Sequence, residues 1–431
     1  MSVIAAPLQK AASKRIIVTV CAAIIAFLTY SSIYAYRKPF TVATFEGISF
    51  WGVPYQTLLI ISQVVGYMLS KFYGIKFIAE LKRLGRWKTI VFLVSIAWLS
   101  LLIFAVIPPP FGMILLFING FMLGFMWGII FSYVEGRIGT DFIGATLAVS
   151  FIFAGGFTRS VAKWLMLGWG ISEQWMPFMT GLLFILPLLL FIFFLEKLPP
   201  PDKADINERT ERVPMNKADR KRFLKLFGPG IIIITVSYSF LTIIRDVRDN
   251  YMANMWNELG YGKDAAIFTK TETTTSIIVL LLISLLVLIR KNINAFRVIH
   301  IVIAGGFLLA GISSWLFISG KLNGVLWMQL VGLGLYMACI PFNCIFFERM
   351  IAAFHIAGNV GFLIYIADAY GYLGSVVIML VKSFLEIKLQ WTSFYSNGVI
   401  IFSLIGVVGT LVSLFYFNKK FRPDNYREQN Q

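Results

Sequence analysis

Eight of the chain's 38 lysines and arginines fall in or close to long apolar runs: Arg37, Lys38, Lys71, Lys76, Arg159, Arg245, Arg248 and Lys270. A charge set in lipid costs at least about 2.5–3.5 kcal/mol on insertion scales, so each must face a partner or a polar cavity. Guanidinium is the most telling group among them, because it stays charged at any working pH. Its planar fork of donors fits carboxylate or phosphate oxygens two at a time. Residues 29–37 read Thr-Tyr-Ser-Ser-Ile-Tyr-Ala-Tyr-Arg, and residues 237–245 read Ser-Tyr-Ser-Phe-Leu-Thr-Ile-Ile-Arg. The shared pattern, [Ser/Thr]-Tyr-Ser-x-x-[Tyr/Thr]-x-x-Arg, returns close to half a chain length later. Helical spacing puts Tyr30, Tyr34, Arg37 and Thr41 on one face, and Tyr238, Thr242, Arg245 and Asp249 on the equivalent face. Two such forks converging on one axis make a site for a dianion, with the tyrosines beside them. The competing expectation is internal neutralisation. Asp246 and Asp249 are available to Arg245, whereas Arg37 has no acid before Glu46. Arg248 is expected to pair with a neighbouring acid.

Further polar groups join this set. Gln63, Tyr67, Ser70, Lys71 and Gly74 share a helical face, making Gln63 and Lys71 candidate solute contacts, and Lys76 is expected to snorkel to the interface. Lys270 and Glu272 lie in Lys-Thr-Glu-Thr-Thr-Thr, which the apolar run after Ser276 is too short to leave outside the membrane. They are expected to form an ion pair at the cavity wall. Asp368, flanked by Tyr365 and Tyr372, is the clearest intramembrane acid. It has three readings: taking up a proton, binding a solute amine, or neutralising Arg159 or another buried cation. Two histidines and three cysteines are too few for a metal centre or a disulfide framework. No HExxH, GxSxG, P-loop or nucleotide-binding pattern is present, so neither an enzyme nor a cofactor is expected.

These side chains need elements to carry them. Of 431 residues, 58% are hydrophobic and 14% charged, and mean hydropathy is +0.79. No soluble chain of this size buries that much apolar surface. Continuous rather than alternating apolar runs select helices over a barrel. Runs long enough to span fall at 16–44, 54–79, 89–108, 112–134, 143–168, 176–195, 228–256, 266–289, 296–319, 324–349, 357–383 and 396–417. Residues 197–225 are far more polar and carry three consecutive prolines. An all-α membrane protein of 12 helices is therefore expected, with a six-helix bundle at 1–196, a linker at 197–225 and a second bundle at 226–431. Most basic residues sit in loops on one side. The opposite loops hold only Lys163, Lys263, Lys321, Lys382 and Lys388. The positive-inside rule then places both termini and the linker in the cytoplasm, and the net charge of +17 signals orientation rather than nucleic-acid binding. Gly120, Gly124 and Gly128 form a small-xxx-small ladder suited to close helix packing.

Six plus six spans, a cytoplasmic linker and the basic loop Glu80-Leu-Lys-Arg-Leu-Gly-Arg-Trp-Lys resemble the major facilitator superfamily. More specifically, Tyr36-Arg-Lys-Pro-Phe40, Ser62-Gln-x-x-x-Tyr-x-x-Ser-Lys-Phe72 and Gly371-Tyr-Leu-Gly-Ser375 look like motifs of the organophosphate:phosphate antiporters. That resemblance implies a monomeric transporter in a bacterial inner membrane. Arg37 and Arg245 would hold the phosphoryl group, Lys71 would line the path, and inorganic phosphate or protons would serve as counter-ion. One departure is plain: Ser150-Phe-Ile-Phe-Ala-Gly-Gly156 lacks the histidine that such members carry in span 5, and Arg159 follows one turn on. Two other readings stand beside this one: a proton-coupled transporter of larger amphipathic solutes such as cell-wall fragments or drugs, and a transporter-like solute sensor.

Overall fold

The computed structural model describes the chain except residues 1, 81–84, 135, 136, 138, 201–216, 355–360, 385–389 and 421–431. Among the described residues, ten helices are long and apolar enough to cross a bilayer. Their outward faces carry large apolar side chains, such as Leu186 at 77% exposure and Phe415 at 73%. Such a surface is stable only in lipid, so the protein is an integral multi-pass membrane protein.

In chain order the first group is α1 (Ser2–Tyr34), α2 (Tyr55–Glu80), α3 (Arg86–Val106), α4 (Gly112–Leu123), α5 (Met126–Val134), α6 (Thr140–Trp169) and α7 (Met176–Glu196). The second is α8 (Lys217–Glu258), α9 (Ile267–Val287), α10 (Asn292–Ile318), α11 (Gly324–Pro341), α12 (Phe347–Ala353), α13 (Gly361–Phe384) and α14 (Trp391–Lys420). A π-helical turn, Phe342–Phe346, joins α11 to α12. In the first group α4 packs on α2 and α3, and α1 on α6 and α7. The second group packs α10 on α11 and α14, and α8 on α13 and α14. The two groups meet along α6 against α9 and α2 against α13.

Three local features position the polar groups. Pro39 has no backbone N–H and its ring would clash with the carbonyl four residues back in a continuing α-helix, so α1 ends at Tyr34 and the chain passes through tight turns into a 3-10 helix at Pro39–Val42. This corrects the expected unbroken helix through residue 44, because Thr41 belongs to the 3-10 turn. The glycine ladder brings α4 against α2. A Cβ on Gly120 would sit 2.1 Å from the Gln63 carbonyl, and one on Gly124 would sit 1.6 Å from Ser70 Oγ. Between the 3-10 turn and α2 lies a hairpin that the apolar pattern did not announce, Ser49–Phe50 paired antiparallel with Val53–Pro54. Glu173 anchors its root by accepting hydrogen bonds from the Thr44 and Phe45 amides, each at 2.9 Å.

The basic end of the polar linker, from Lys217, is the start of α8, which runs unbroken to a non-helical residue at Tyr251. The rest of the linker is mostly outside the described residues.

Candidate functional site

The intramembrane cations divide by whether a carboxylate answers them. Lys76 lies outside the described side chains. Five of the others have a carboxylate within 4 Å: Lys38 with Asp249, Arg159 with Asp249 at 2.6 Å, Lys71 with Asp368 at 3.4 Å, Arg248 with Glu272 at 2.7 Å and Lys270 with Asp264 at 3.6 Å. Arg37 and Arg245 have none among the described residues. Arg37 is 7% exposed, and its guanidinium lies over the Tyr67 ring, 3.7 Å from the centroid, and 5.9 Å from that of Tyr34. Its Nε has no hydrogen-bond acceptor. Arg245 donates from one terminal nitrogen to Cys339 Sγ at 2.9 Å, a weak acceptor. Tyr372 neighbours both arginines, and its ring meets Tyr67 edge to face with centroids 5.7 Å apart. The two arginines are thus separated by a pair of tyrosines, one from each helix group.

Aromatic rings cradle the remaining faces. Tyr30 packs edge-on against Tyr34 and Trp127, at 5.4 and 5.6 Å. Tyr238 stacks on Phe342 at 4.0 Å, and its hydroxyl reaches Asp368 Oδ1 at 2.7 Å and Asn343 Oδ1 at 2.8 Å. Asp368 therefore sits between Lys71 of α2 and Tyr238 of α8. The cation it faces is the partly exposed Lys71 rather than Arg159. Gln63 is engaged inside the protein, where its amide nitrogen donates to the Arg37 carbonyl at 3.0 Å and to Asn119 Oδ1 at 2.8 Å. Asn119 in turn donates to the Tyr36 and Ala97 carbonyls, each at 3.0 Å. These bonds fix the turn from which Arg37 projects.

A second polar cluster joins the two helix groups near the ends of α1 and α8. Lys38 holds Asp249 and donates to Asn250 Oδ1 at 3.0 Å. Arg159 holds the other Asp249 oxygen, donates from Nε to Thr41 Oγ1 at 3.1 Å, and returns to the Gly155 carbonyl at 3.0 Å. Gln56 and Asn254 exchange amide hydrogen bonds at 3.0 Å each, and the Tyr251 hydroxyl donates to Thr57 at 2.8 Å. All of these polar contacts except Arg159 to Thr41 and to the Gly155 carbonyl cross from the first helix group to the second.

Two expectations are corrected. Lys270 and Glu272 do not pair, because residues two apart on a helix point to different sides. Glu272 turns inward to Arg248, whereas Lys270 is exposed beside Asp264. The acids near Arg245 do not neutralise it, since Asp249 faces Lys38 and Arg159 and Asp246 accepts from Ser375 Oγ at 2.7 Å. Sequence reasoning missed Cys339 as the acceptor for Arg245, Asn343 as the partner of Tyr238 and Cys339, and Asn119 as the support of the Arg37 turn. A lone amide inside an apolar run, as at Asn119 and Asn343, was the available signal.

Solved structures with a similar fold include membrane transporters. The nucleoside transporter NupG superposes with a TM-score of 0.61 at 14% identity, over 93% of this chain and 99% of that one. The D-xylose-proton symporter gives 0.60 at 16%, over 93% and 97%. The human organic anion transporter MFSD10 gives 0.51 at 12%, over 93% and 99%. The chain shares the fold of these structures. The chain belongs to the family described as "Family of unknown function (DUF5690)", whose model matches residues 39–420. No curated protein sequence matches it.

Proposed function

We propose that the protein is a secondary transporter that moves a small anionic, phosphorylated organic solute by alternating access. In this reading the helices form 12 spans in two six-helix bundles, 1–196 and 226–431, about the linker 197–225, with both termini in the cytoplasm of a bacterial inner membrane. The observation that carries it is the sorting of charges. Of the eight cations singled out in the sequence, each one whose side chain is described has a carboxylate within 4 Å except Arg37 and Arg245, which occupy equivalent places in the repeat of the sequence. Two uncompensated guanidiniums in a low-dielectric interior are costly alone and suited to a dianion. Tyr30, Tyr34 and Tyr238 line the same region, and Lys71 is available to the solute if it leaves Asp368. The structural neighbours, which are nucleoside, xylose-proton and organic anion transporters, support transport as the activity and leave the solute class to the arginines.

Alternating access needs contacts that form on one side and break on the other. The Lys38–Asp249–Arg159 cluster fits that role, lying on the side away from the basic loops, where its closure shuts the solute site. Inorganic phosphate or a proton is the counter-ion in this scheme.

A thermal-shift screen of the purified protein tests the reading. Sugar phosphates, glycerol phosphates and inorganic phosphate should raise the unfolding midpoint in proportion to the logarithm of concentration. The shift should vanish in Arg37→Ala and survive in Lys270→Ala. Equal shifts in wild type and Arg37→Ala would remove the arginine from the site.

A further inference from the structure

Away from the solute site, a groove of about 250 Å³ opens on the membrane face between α3 and α7, lined by Trp87, Val91, Leu189, Ile192, Phe193 and Glu196. Five of these six are apolar, and Leu189 and Phe193 are about half exposed toward lipid. Glu196 is the anomaly. One of its carboxylate oxygens accepts from the Tyr133 hydroxyl at 2.7 Å, and it has no cationic partner among the described residues. Two exposed lysines lie over aromatic residues of the groove and meet no carboxylate among the described residues. Lys197 ends α7 with its ammonium 4.5 Å from the Phe193 ring centroid, and Lys88 lies 5.7 Å from that of Trp87. The groove lies at the start of α3 and the end of α7, hence at the level of the leaflet beside the basic loops.

We propose that this groove is a binding site for a phospholipid whose headgroup carries a primary ammonium. An acyl chain would fill the apolar floor and Trp87 would mark the interface, as tryptophans do. The ammonium would donate to the free lone pairs of Glu196 while the phosphate lies between Lys88 and Lys197. Charge complementarity selects this occupant. An anionic headgroup without an ammonium leaves Glu196 unanswered, and a quaternary ammonium has no N–H to donate.

The test is independent of solute transport. The full chain is purified in detergent and given phosphatidylethanolamine, phosphatidylcholine or phosphatidylglycerol with identical acyl chains, and retained lipid is counted by native mass spectrometry. Phosphatidylethanolamine should be retained roughly two- to fivefold over each of the others, the range an interfacial ion pair supplies. Glu196→Gln keeps an acceptor for Tyr133, so the fold should hold while the preference falls to parity. Leu189→Trp, which fills the floor, should lower retention of all three lipids. The proposal is overturned by equal retention in the wild type, by a preference for phosphatidylglycerol or phosphatidylcholine, by a preference that persists in Glu196→Gln, or by Leu189→Trp leaving retention unchanged.

Discussion

Charge pairing gives each intramembrane ionic residue a different expected cost of removal. Arg248 and Glu272 are 1% and 2% exposed on their side chains, and Arg248 leaves two of its nitrogens without acceptors. Glu272→Ala strands a buried guanidinium, so it should destabilise the protein by about 3–5 kcal/mol, whereas joint replacement by Arg248→Met and Glu272→Leu should cost far less. Thermal unfolding in detergent, with the single and double variants side by side, measures this difference. Arg37 should behave oppositely, since its charge has no carboxylate to strand. This distinction was half legible in the amino-acid order. Helical spacing placed Arg37 and Arg245 on polar faces, and the lack of an acid near Arg37 marked it as unanswered. The partner of Glu272 was not legible, because it comes from a helix 24 residues away in sequence and proximity along the chain favoured Lys270.

Helices were readable from apolar length alone, since lipid permits few other elements. Their close approaches were readable only where small residues repeat. Gly120 and Gly124 let α4 lie against α2, so Gly124→Leu must push the helices apart and should cost at least about 1–3 kcal/mol. Gly305 of α10 has nothing within 4 Å of where a Cβ would stand, and Gly305→Leu should leave the unfolding midpoint nearly unchanged. A comparable loss in both variants would argue that side-chain bulk, rather than the α2–α4 contact, sets the effect. The hairpin at residues 49–54 was invisible to periodicity, because two-residue strands carry no pattern and its anchor, Glu173, lies more than a hundred residues on. The break at Pro39 was visible in principle, but the apolar run carried the span past it.

At the scale of the whole molecule, the two helix groups are held together on one side by Asp249 in contact with Lys38 and Arg159, backed by the Gln56–Asn254 and Tyr251–Thr57 contacts. Asp249→Asn removes the shared counter-charge and should shift the population toward separation on that side. Spin labels at Glu46→Cys and Lys263→Cys, in a background with Cys21→Ser, should report longer distances in the variant; an unchanged distribution would deny the cluster a latching role. A multi-pass helical membrane protein was legible from the apolar runs, whereas the residues that bridge the helix groups were not, since sequence spacing sets Asp249 beside Arg245. The central claim is that Arg37 and Arg245 together bind the solute. It is tested most directly by uptake of a panel of labelled organophosphates into vesicles containing the wild type, Arg37→Ala or Arg245→Ala. At least one compound should accumulate with the wild type and fall to the empty-vesicle level in both variants. Accumulation that is indifferent to both substitutions would contradict it.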